Sequence, residues 1–170
     1  MQQRVVYAAL QEVAGRTLSG PLITYAETAR WGGIRERVQP GALDVRPGLL
    51  LTRQHDRAIP LARLGAGLEL SDGPEAMRVR AVLPATPAAD AVLADVRAGL
   101  LTGLSAEYTP TAERMEGDVR VVTAARLTGL SVVDDPAFAG SRLVLNAAGD
   151  DDPPPDPPAP DPRRRRGRWL

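Results

Sequence analysis

The chain is 170 residues long and 44% hydrophobic, with 21 basic side chains balanced by 21 acidic ones. It holds one histidine and no cysteine, and every basic residue is arginine. That excludes thiol nucleophiles, disulfides, cysteine-ligated metals, Schiff-base and P-loop lysines and a Ser-Lys dyad, and it leaves a usual zinc site short of ligands.

Balanced charge offers no broad basic surface, so nucleic acid is not an expected partner. No apolar run approaches the about 20 residues of a membrane span, and Met1-Gln2-Gln3 opens no signal peptide. A soluble intracellular protein without membrane contact is expected.

In chain order, residues 4–13 and 17–27 read as two extended runs around Ala14-Gly15-Arg16, an opening hairpin. Trp31-Gly32-Gly33 is a loop, residues 34–38 a short strand, and Pro40-Gly41 marks a turn. Leu49-Leu50-Leu51 leads a buried strand into Gln54-His55-Asp56, and Ile59-Pro60 reads as the turn that follows. Residues 61–64, 68–70 and 76–83 are further strands, separated by turns at 65–67 and 71–74. The clearest helix has Thr86 as N-cap, Pro87 at its first position and Gly99 as its stop, with Leu93, Val96 and Leu100 as its apolar stripe.

Residues 101–108 read as a strand entered through Gly103 and carrying Ser105 and Glu107. A hairpin turn at 115–118 leads to strands at 119–127 and 130–133, and 142–145 is the last plausible strand. Many short strands with one strong helix predict a mainly β domain with helices (α+β), a barrel or curled sheet with helical decoration. This domain is expected to span residues 1–146. Residues 147–170 are expected to form a disordered Asp/Pro-rich tail ending in an arginine cluster, Arg163 to Arg168, with Trp169 and Leu170.

Chemistry near neutral pH points first to His55, because imidazole titrates there without perturbation and only a carboxylate could rival it as a base. The plainer alternative is a hydrogen-bonded histidine at a strand end. Gly103-Leu104-Ser105-Ala106-Glu107 is the best stretch for a partner hydroxyl. Glycine would be needed where Glu107 stands to make a GxSxG elbow, so an α/β-hydrolase turn is not encoded and a general esterase is disfavoured. An ordinary strand serine is the competing reading of Ser105.

Taken together, LSGPLITYAE from Leu18, RERVQPGAL from Arg35, LLLTRQHD from Leu49, the helix leading into GLSAEY, and LTGLSVVDDPAF from Leu127 resemble the prohead (capsid maturation) serine proteases of tailed phages, including those of gene transfer agents. The resemblance implies an assemblin-like β-barrel surrounded by helices, with His55 as base and Ser105 as nucleophile. It also implies a peptidase needing no cofactor or metal, acting on the major capsid protein precursor inside the procapsid in the cytoplasm of the bacterial host. Many relatives carry an acid where this chain has Gly129, so the third member is open among Glu107, Ser131 and Asp134, with Asp135 beside it. Glu107 should share a strand face with Ser105, whereas Asp56 adjoins His55 and should point away. An inactive, protease-like assembly or scaffold factor is the alternative.

Overall fold

A computed structural model describes residues 15–31, 33–135 and 144–145. The strands in chain order are β1 (Thr17–Thr24), β2 (Ala29–Trp31), β3 (Ile34–Val38), β4 (Leu43–Asp44), β5 (Leu50–Arg53), β6 (Asp56–Leu64), β7 (Gly67–Asp72) and β8 (Ala76–Val82). Helix α1 (Pro87–Arg97) follows, then β9 (Gly103–Glu116), β10 (Val119–Val133) and β11 (Val144–Leu145).

One sheet contains all eleven strands, in the order β11-β1-β8-β7-β6-β5-β10-β3-β2, with β4 and β9 also paired to β10. It curls into a half-barrel. The organising strand is β10. Along one edge it pairs antiparallel with β9, and along the other it pairs parallel with β3, β4 and β5 in succession. A strand covered on both edges and faces should be nearly continuously apolar, and the last five residues of β10, Gly129-Leu130-Ser131-Val132-Val133, are all buried.

Helix α1 forms where its caps specify. Thr86 Oγ1 accepts from the Ala89 N–H at 3.3 Å, Pro87 opens the first turn, and Gly99 lies just beyond with φ 71°. Its buried face, Ala89, Val92, Leu93 and Val96, joins Leu18, Leu22, Leu51, Leu61, Leu104 and Leu130 in one core. Each large apolar side chain so buried contributes about 1.5–3 kcal/mol relative to exposure. The buried Glu36 carboxylate accepts from Tyr108 Oη and, at 2.7 Å, from Arg120 Nε, so its charge enters the interior with partners.

Several expectations need correction. Only one helix occurs among the described residues, so the surrounding helices are not seen there. Ile59-Pro60 is not a turn: both lie within β6, where register shifts on either side of the Thr52–Pro60 pair accommodate the proline. The strands expected at 119–127 and 130–133 are one strand, continued past Gly129 by an irregularity in its pairing with β9. Leu100 lies beyond the helix and is exposed. The first half of the opening hairpin and residues 147–170 lie outside the described residues.

Candidate active site

His55 stands in a two-residue connection between β5 and β6, where Arg53 pairs with Asp56. Gln54 and His55 both have positive φ, 48° and 62°, the sign that tight primed hairpins require and that Asn-Gly usually supplies. Each such non-glycine residue costs of order 1–3 kcal/mol, so neighbouring contacts must hold the turn. Two come from β10: the Gln54 N–H donates to the Val132 carbonyl at 2.9 Å, and the His55 N–H donates to Ser131 Oγ at 3.1 Å. A third comes from the helix, as Arg53 Nη2 donates to Asp95 Oδ2 at 2.8 Å. Sequence reading placed His55 at a strand end; the left-handed turn was not legible because neither residue is a usual one for it.

Strand register supplies the rest. Ser105 lies directly opposite Ser131 across the β9–β10 ladder, and Glu107 lies opposite Gly129. On the other edge of β10, Ser131 is paired with Thr52 of β5. Directly opposed residues share a face, as do residues two apart on a strand. Ser105, Glu107, Ser131 and Thr52 therefore form one polar group on one face of an otherwise apolar region, each of them buried.

The His55 ring meets this face. Its Nδ1 is 2.6 Å from Glu107 Oε1, with both side chains largely buried. An ionised carboxylate can only accept, so Nδ1–H is the donor and Nε2 carries the free lone pair of the neutral ring. Nε2 is buried and has no hydrogen-bond partner among the described residues. An imidazole held through Nδ1 leaves Nε2 as the nitrogen free to take a proton, although no hydrogen bond joins it to Ser105 Oγ here.

The structure thus brings His55, Glu107, Ser105 and Ser131 together. Asp134 and Asp135 are exposed in the bend after β10, where the Asp134 carbonyl accepts from Thr102 Oγ1 at 2.8 Å. Asp56 turns back on its own strand, accepting the Ala58 N–H at 2.8 Å. Sequence reasoning missed Thr52 and the significance of Gly129. Signals existed for both: a hydroxyl inside a buried apolar strand, and a glycine inside a strand, which often marks close approach of another group. No group of three acidic or histidine side chains that could hold a metal occurs among the described residues. A surface concavity of about 500 Å³, lined in part by Pro60, Leu61, Val82 and Leu83, is separate from these residues.

The family model for the caudovirus prohead serine protease matches residues 5–149 of the chain. No curated protein and no solved structure matches it.

Proposed function

The chain belongs to the caudovirus prohead serine protease family, and we propose that it is a serine endopeptidase that trims the N-terminal or scaffolding segment of the major capsid protein inside the assembling procapsid, in the cytoplasm of the bacterial host. The observation that carries this reading is the 2.6 Å hydrogen bond from His55 Nδ1 to Glu107 on the strand face that bears Ser105.

In this mechanism Glu107 fixes the tautomer and orientation of His55. His55 Nε2 takes the proton as Ser105 Oγ attacks the scissile carbonyl, forming the new C–O bond. Collapse of the tetrahedral adduct breaks the C–N bond, and the proton on Nε2 passes to the departing amine. Water, deprotonated by the same nitrogen, then releases the acyl group and restores Ser105. Ser105 has no solvent exposure, so a peptide must displace the chain that covers it before attack. Catalytic geometry often tightens only in the substrate complex.

The alternative, an inactive assembly or scaffold factor, drew its support from glycine at position 129. That support weakens because Glu107 brings a carboxylate to the same place. Full burial of Ser105 is the observation in its favour. Incubating the wild type and Ser105→Ala with capsid precursor decides between them. Cleavage by the wild type, with a loss of more than about 10⁴-fold in the variant, supports the peptidase. No cleavage by either protein leaves the scaffold reading, whereas equal cleavage by both would move the nucleophile away from Ser105.

We also propose that residues 163–170 recruit the protein to the shell, the arginines docking on an acidic segment of the capsid precursor and Trp169 giving an apolar anchor.

A further inference from the structure

Ser131 is a serine at the heart of the site, and hydrogen-bond directions decide what it can do. Thr52 Oγ1 donates to the Leu130 carbonyl at 3.3 Å, which uses the only hydrogen that hydroxyl carries. The 2.7 Å contact between Thr52 Oγ1 and Ser131 Oγ therefore runs from Ser131 to Thr52. Ser131 Oγ in turn accepts the His55 backbone N–H at 3.1 Å. The result is a one-way chain from His55 through Ser131 and Thr52 to Leu130, with both hydroxyls buried.

We propose that Ser131 and Thr52 are positioning residues, a hydroxyl relay that locks the left-handed turn at His55 and so aims its imidazole at Glu107. The inference rests on the reading of His55 as the base. Ser131 Oγ, shared between Thr52 and the His55 backbone N–H, is engaged in holding the turn. The relay acts where holding is needed: His55 has φ 62° without being glycine or asparagine, and rotation there would swing the ring away from Glu107. Buried hydroxyls that satisfy one another in series behave as a unit, so loss of either should undo the whole.

The test exploits the single histidine, whose ring nitrogens give the only imidazole signals in the protein. Wild type, Ser131→Ala, Thr52→Val and Thr52→Ser are compared by nitrogen–proton correlation of the ring and by cleavage of a precursor peptide. The wild type should show one tautomer, protonated at Nδ1. In Ser131→Ala and Thr52→Val the ring should mix tautomers, and kcat should fall about 10- to 100-fold, as a misplacement of about 1 Å would produce, with KM within about twofold. Thr52→Ser keeps the hydroxyl and should restore both readouts. The Ser131→Ala/Thr52→Val pair should be no worse than Ser131→Ala alone.

A wild-type tautomer and rate in Ser131→Ala, or Thr52→Ser as impaired as Thr52→Val, would overturn the relay. If Ser131→Ala does not fold, the Thr52 pair carries the decision. Retained cleavage by His55→Ala would instead overturn the catalytic reading. The ring spectra report on the relay independently of activity.

Discussion

The Glu107 carboxylate occupies the space that a side chain on Gly129 would fill. Its Oε2 lies 3.0 Å, and its Cδ 3.2 Å, from where a β-carbon at Gly129 would stand. Two strands thus share one acid position: the register sets Glu107 opposite Gly129, and the glycine lets the glutamate of β9 lean across β10 toward His55. Gly129→Ala should disturb this with little effect on the backbone, because the atoms it meets are the carboxylate at the far end of the Glu107 side chain. We expect Tm to move by no more than the few degrees that about 1 kcal/mol produces in a protein of this size. Peptide cleavage should slow about tenfold or more as the bond to His55 Nδ1 is lost. An unchanged rate would mean that the carboxylate is not required where it lies.

The shared position also predicts an exchange. Glu107→Gln keeps size but offers His55 an amide, and cleavage should fall by about 10²- to 10⁴-fold, the range seen when an orienting acid is neutralised. Moving the acid across the ladder, by Glu107→Gly with Gly129→Glu, puts it on the strand that carries it in the relatives this chain resembles. The double variant should regain at least about tenfold of the Glu107→Gln loss, measured as kcat/KM on a precursor peptide. Rates as low as those of Glu107→Gln would show that the two strands are not interchangeable.

Much of the site was legible because the chain offers so few alternatives. With one histidine and no lysine or cysteine, His55 had no rival but a carboxylate, and a residue two along a strand from Ser105 had to share its face. Thr86-Pro87 declared the helix for equally local reasons. What escaped was set by pairing between distant strands. That β5 would lie parallel to β10, bringing Thr52 and the His55 turn onto Ser131, is fixed by neither segment alone. Pro60 looked like a turn because local propensity knows nothing of the bulge that lets proline sit in β6. Gly129 looked like a break between strands, and only the tertiary position of Glu107 explains it as room for a carboxylate.

At the tip of the β9–β10 hairpin, charge pairs predict an acid-sensitive contribution to stability. A hydrogen bond from Arg114 holds Glu116 below the usual carboxylate range; desolvation opposes it, and a weaker hydrogen bond from Arg37 adds to the lowering. Arg35 does the same for Asp118. Folded-state values below the unfolded ones mean stability that is present above the ordinary carboxylate range of about pH 4 and lost as pH falls through the lower folded values. Both carboxylates are exposed, so solvent and salt screening keep the effect small. Arg35→Ala and Arg114→Ala together should flatten the dependence of Tm on pH between about 5 and 2. A variant as acid-sensitive as the wild type would place the sensitivity elsewhere.

The last prediction concerns residues 149–170. Residues 150–162 contain only Asp, Pro and Ala, and Arg163 to Arg166 with Arg168 precede Trp169-Leu170. The five arginines can pair bidentately with carboxylates, which favours an acidic protein segment as the partner. Truncation after Ala148 should therefore separate recruitment from chemistry. Peptide cleavage in solution should stay within about twofold of the full chain, while incorporation into proheads should fall at least about tenfold, and added salt should weaken incorporation of the full chain in the same direction. Normal incorporation and capsid maturation by the truncated protein would show that the segment has no docking role.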